Sequence, residues 1–169
     1  MVEAALELSN NLITGAEIQQ IIDLAKEILA ADVRLFDQVE ATLRQLTKDF
    51  TLMLISKGEQ WEQELKIKKS GLGKYFRYIE IVGDKNETAY TRLLTKYQIA
   101  PNKFLMVGNS LKSDILPVLK IGGRAVYIPY AHTWFHELEV SADQAQLRYD
   151  ELENLTQLPD YLHRLVKYS

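Results

Sequence analysis

The spacing of apolar residues changes character near residue 50. Upstream it is helical: in "TGAEIQQIIDLAKEILAAD", Ile18, Ile21, Ile22, Ala25 and Leu29 fall on one face. Thr14 stands three residues before Glu17, the form of a capping box that satisfies a helix's first free N–H groups. Asp37 and Glu40 repeat that form and predict a second helix carrying Val39, Leu43 and Leu46. Nothing in residues 1–48 reads as strand. Beyond them strand and helix alternate. "FTLMLIS" is a continuous apolar run suited to a strand buried on both faces, and "RYIEIVG", "KFLMVG" and "RAVYIPY" read as three further strands. Between them lie "EQWEQELKIKKSGLG", "ETAYTRLLTKYQI" and "KSDILPVLKI", three helical stretches, the first closed by Gly71. The tail "YDELENLTQLPDYLHRLV" predicts an extended piece and a closing amphipathic helix. Such β-α repeats imply a parallel sheet wrapped by helices, with ligand at the carboxyl ends of its strands.

Composition narrows the field. The 169 residues are 47% apolar, enough for a real core, and their number suits one domain, or one domain plus a small appendage. A net charge of −3 with no block of like charge speaks against a nucleic-acid or membrane-surface partner. The absence of cysteine excludes disulfides and thiol-ligated metals and fits a cytoplasmic protein. "MVEAALELSNNL" lacks the basic and apolar regions of a signal peptide, and no apolar stretch reaches membrane-spanning length.

Three predicted strand ends carry chemistry. Ser56, Lys57 and Gly58 follow the first, Asp84 and Lys85 the second, and Gly108, Asn109, Ser110 and Asp114 the third. Parallel strands bring these ends to one rim. A phosphoryl group needs such a set: hydroxyl and N–H donors for its oxygens, an ammonium against its charge, and Asn and Asp oxygens for Mg²⁺. Each residue alone has a plainer reading. Ser56 suits a strand-to-helix transition, Lys85 a solvated surface, Asp114 compensation of a helix dipole. Their order and spacing together are what carry the chemical reading.

That order, strand-Ser, then Lys, then strand-Gly-Asn-Ser-x-x-x-Asp, then helix-Gly-Gly-strand, resembles the haloacid dehalogenase superfamily over roughly residues 35 to 140. "TLMLISKG" is similar to the motif whose Ser binds the transferred phosphoryl group, Lys85 to the next motif's lysine, and "MVGNSLKSD" to the metal-binding motif. The resemblance implies a Rossmann-like parallel sheet flanked by helices over 49–169, preceded by a partial helical cap over 1–48. It implies a Mg²⁺-dependent phosphatase acting on a phosphorylated small molecule. Ser56, Lys85 and Asp114 would support catalysis, Ser56, Lys57, Gly58 and Lys85 would bind phosphate, and Asn109 and Asp114 would serve the metal. Asn109 stands where most relatives have Asp, so weaker metal affinity is expected.

A larger departure concerns the nucleophile. The family's Asp-x-Asp motif ends a first, central strand, and no apolar run upstream of Phe50 ends that way. The chain is therefore expected to begin within the cap, to lack that strand, and to be inactive alone. The alternative is a non-catalytic phosphate-binding or assembly module of the same fold. A missing central strand would leave two interior edges unpaired. Those strands are expected to close up and pair directly, or to be covered by a second copy or another partner. A response-regulator receiver places its acids first and its lysine last, the reverse of the order here. A dinucleotide-binding G-x-G-x-x-G is absent. In "YAHTWFHE", His132 and His136 are spaced as a helical metal pair, but the expected role of this loop is packing by Trp134 with both histidines at the rim.

Overall fold

The computed structural model describes residues 2–130 and 147–167. The loop bearing His132, Trp134 and His136 lies outside the described residues. By contacts the chain divides into residues 1–34 and residues 35–169. In the first unit, α1 (Val2–Leu8) and α2 (Gly15–Ala30) are joined through Asn10 and Asn11, both at positive φ (51° and 62°). Asn tolerates that region better than most residues. The Thr14 capping box is present: its backbone N–H donates to Glu17 Oε2 at 2.8 Å, and its hydroxyl accepts the Glu17 N–H at 3.3 Å.

The second unit opens with α3 (Val39–Leu46). The Asp37–Glu40 cap expected there does not form. Gln38 is the N-cap, at φ 61° and with no side-chain cap bond. Glu40 is drawn elsewhere, accepting from the Tyr75 hydroxyl at 2.7 Å and pairing with Lys74 at 3.0 Å. Contacts group α3 with the strands that follow. The cause is visible in Leu46, which packs with Leu158 and Leu162 beneath the sheet.

The strands are β1 (Met53–Lys57), β2 (Tyr78–Val82), β3 (Leu105–Gly108), β4 (Arg124–Tyr127) and the short β5 (Asp150–Glu151). Between them run α4 (Gln60–Ser70), α5 (Glu87–Lys96) and α6 (Leu116–Lys120), and α7 (Leu158–Lys167) closes the chain. All pairings are parallel, as β-α alternation requires. They make two sheets, β1-β2 and β3-β4-β5. The expectation that β1 and β3 would close up and pair is thus corrected: among the described residues each pairs on one side only, with β2 and β4 respectively.

Side chains join what the ladders leave apart. Alternation along a strand sends Met106 to one face and Leu105 and Val107 to the other. Met106 shares a cluster with Ile55, Val82, Tyr90, Leu93, Leu94 and Val118, roofed by α5 and α6. Leu105 and Val107 share a second with Leu52, Leu46, Leu158 and Leu162, floored by α3 and α7. Ile55 of β1 and Val82 of β2 thus share the first cluster with Met106 of β3, which joins the two sheets on that face.

Burial predicts where truncation matters. Leu46, 4% exposed, should cost about 2–5 kcal/mol when replaced by Ala. Leu24, 51% exposed on α2, should cost less than about 0.5 kcal/mol for the same change. Urea denaturation of L46A and L24A measures both.

Candidate functional site

The site is built from three turns at the carboxyl ends of β1, β2 and β3. Ser56, one residue before the end of β1, donates its hydroxyl to Gln63 Oε1 of α4 at 2.6 Å. Gly58 turns the chain at φ 142°, outside what side-chain-bearing residues adopt, and a Cβ there would meet Gln63 Nε2 at 2.9 Å. Lys57 points the other way and crosses to the β3 side, donating to Ser113 Oγ at 2.9 Å.

After β2, Asp84 folds back on its own turn, accepting the Lys85 N–H and the Asn86 side-chain amide, each at 2.9 Å. Asn86 caps α5 by accepting the Ala89 N–H at 2.9 Å. This fixes the chain direction at Lys85. Its ammonium reaches Asp114 Oδ1 at 2.7 Å, with side-chain exposures of only 13% and 6%.

The β3 turn is a π turn. Residues Leu111–Ile115 run as one turn of π-helix before α6, and the Ser110 carbonyl accepts from both Asp114 N–H (2.9 Å) and Ile115 N–H (3.2 Å). The sequence predicts one helix over "KSDILPVLKI"; a wider turn leads it, and Pro117 sits near the start of α6, where its missing N–H costs little. The π turn returns Asp114 toward the strand, where its Oδ2 accepts the Ser110 N–H at 3.1 Å. Gly108 is required for this: a Cβ on it would overlap the Asp114 carboxylate.

Tyr90, 1% exposed, closes the arrangement from α5 by donating to the Ser113 carbonyl at 3.0 Å. Burial, then the Asp114 and Asp84 carboxylates, push its phenol well above the ordinary value, so it remains a neutral donor.

Of the residues singled out in the sequence, Lys85 meets Asp114 directly and Lys57 meets Ser113, the residue before it. Asn109 and Ser110 lie on the same turn, Asn109 exposed and Ser110 buried. Ser56 and Gly58 share the β1 end, with the Ser56 hydroxyl directed to Gln63. Ser113, Tyr90 and Gln63 escaped the sequence reading. "KSD" beside the expected metal ligand was the one available signal for Ser113.

Among the described residues no three His, Asp or Glu side chains gather as a metal cage. Each Asp114 oxygen keeps a second acceptor direction beside its protein partner. Mg²⁺ is commonly held by one or two carboxylates, with water and phosphate completing the shell. One carboxylate and one amide oxygen fit such a sparse site.

Comparison with known proteins agrees with this architecture. The family described as haloacid dehalogenase-like hydrolase matches residues 3–128. The chain belongs to that family. A crystal structure of a haloacid dehalogenase-like family hydrolase from Xanthomonas campestris is 34% identical, superposing with a TM-score of 0.81 over 97% of this chain and 69% of that one. N-acylneuraminate-9-phosphatase of Mus musculus is 30% identical over 96 residues, which are 54% of this chain. The chain spans 39% of that curated relative's length. A Bacillus subtilis protein described as a HAD-hydrolase, solved bound to magnesium, shares the fold at 16% identity, with a TM-score of 0.65 over 95% of this chain and 79% of that one. Among the described residues of this family member, no helix is long and apolar enough to cross a membrane.

Removing one member of a desolvated ion pair strands the other. Asp114→Ala should destabilise the protein by about 3–5 kcal/mol, read by denaturant titration. Gly108→Ala should also lower the midpoint, because the strand or the carboxylate must move, by about 1–3 kcal/mol.

Proposed function

We propose that this chain carries the phosphate- and magnesium-binding wall of a phosphomonoester hydrolase of its family. The observation that carries the reading is the Lys85–Asp114 pair, which joins the ends of β2 and β3 at 2.7 Å. A phosphoryl group entering there would meet the Lys85 and Lys57 ammonium groups, two cations against its spreading charge. Ser56 would turn its hydroxyl from Gln63 to a phosphoryl oxygen, and the backbone N–H groups around Gly58 would serve the same end. Asp114 and Asn109 would hold Mg²⁺, which supplies positive charge at the transferring oxygens. The substrate class is a phosphorylated small molecule. Support comes from the family and from the phosphatase name of the curated relative.

The sequence contains no Asp-x-Asp. In-line attack on phosphorus by a carboxylate therefore needs a group that these residues do not supply, and the chain alone is read as binding phosphate without turning it over. That favours, as a second reading, a non-catalytic phosphate-binding or assembly module. A partner or second copy that lays a strand against the free edges of β1 and β3 would separate the two readings, because it would change activity only under the first.

Inorganic phosphate with Mg²⁺ should raise the melting temperature of the full chain in a thermal-shift series. An aryl phosphate should not be hydrolysed by it. Turnover that disappears in D114A would show that a nucleophile lies among these residues after all. Absence of any phosphate- or Mg²⁺-dependent shift would sink both readings.

A further inference from the structure

Ser113 is 5% exposed and stands between Lys112 and the Asp114 carboxylate. Three elements grip it. Its N–H donates to Ser110 Oγ at 2.9 Å within the π turn. Its carbonyl accepts the Tyr90 hydroxyl of α5 at 3.0 Å. Its hydroxyl accepts the Lys57 ammonium of β1 at 2.9 Å. The last contact spans 56 positions of sequence and joins two sheets that share no ladder.

Geometry makes this contact unlike an ordinary surface hydrogen bond. A lysine on a strand end has a flexible four-carbon stem and loses much rotamer freedom when held in one place. Here it is held by a hydroxyl whose own backbone is fixed from both sides, so the anchor does not move with the stem. Lys85 and Lys57 then approach the π turn on adjacent residues: one meets Asp114 and the other Ser113. The spacing of the two ammonium groups is set by the pitch of one short turn.

We propose that Ser113 is a positioning residue, tying Lys57 to the Asp114 turn and so fixing the distance between the two cations that face a bound phosphoryl group. The inference rests on the proposed phosphate site for its consequence, and on the hydrogen-bond geometry for the tie itself. It adds a residue whose role is to orient others without contacting the ligand. Tyr90 acts with it from behind the turn, because its hydroxyl holds the Ser113 carbonyl.

Two measurements on the full chain separate tie from site. The first is amide hydrogen exchange without ligand. K57M and S113A should each accelerate exchange across Ser110–Ile115, although position 57 lies on the other sheet, and S113T, which keeps the hydroxyl, should not. Unchanged exchange in K57M would overturn the tie. The second is titration with inorganic phosphate in Mg²⁺. S113A should weaken apparent affinity by about tenfold, the effect of losing a hydrogen bond to a charged group, with S113T within about twofold of the parent. K57M/S113A should be no weaker than K57M alone, since Ser113 acts through Lys57. Faster exchange in S113A with unaltered phosphate affinity would reduce Ser113 to a structural role and overturn its positioning function. Failure of the parent chain to bind phosphate, with the exchange coupling intact, would leave the tie standing and remove the phosphate reading instead.

Discussion

A lysine and an aspartate that meet almost out of water set the terms for the rest of the rim at the strand ends. Coulomb attraction between Lys85 and Asp114 is strong only because water is excluded, and the same exclusion penalises either charge alone. Such a pair persists when geometry and further hydrogen bonds are good. Here the Ser110 N–H supplies a second partner to the carboxylate, and Gly108 leaves the room that the carboxylate fills. Conformation on the β3 side is therefore dictated by a lysine delivered from the β2 side. Asn86 and Asp84, which only shape their own turn, matter because they aim that lysine.

The same dependence explains how a sheet in two pieces keeps its strand ends in line. Backbone ladders usually set the relation between strands, yet among the described residues β1 and β3 each pair on one side only. The apolar cluster that joins Ile55 and Val82 to Met106 holds the pieces together but is non-directional. Direction comes from the polar contacts at one end, Lys85 to Asp114 and Lys57 to Ser113. Register between the pieces is thus written in side chains. Lysines suit this task because their stems reach farther than a ladder hydrogen bond.

Much of this was legible in the sequence. The four longer strands, the helices between them and the Thr14 capping box follow from spacing and cap chemistry, which are local. Lys57, Lys85 and Asp114 could be singled out because parallel strands send their carboxyl ends to one side. What stayed hidden was non-local or geometrical. Nothing in "NSLKSD" distinguishes a π turn from an α turn, since both keep Ile115 and Leu116 inward. The partners of Ser113 lie 56 and 23 positions away. Asp37 and Glu40 have the form of a cap, but Tyr75 and Lys74 compete for Glu40, and a distant competitor leaves no local trace. The grouping of α3 with the sheets likewise depends on Leu46 meeting α7, a contact between the middle and the end of the chain.

The π turn has a consequence for how this stretch can change over generations. A helical residue advances the chain by about 100° around its axis, so one residue more or fewer rotates everything beyond it by that amount. Between Ser110 and Leu116 the extra residue of the wide turn is already part of the fit that places Asp114 under Gly108. Substitution at an exposed position such as Lys112 leaves that phase untouched. Insertion or deletion there would shift it at once, so this segment can drift in composition while its length stays fixed.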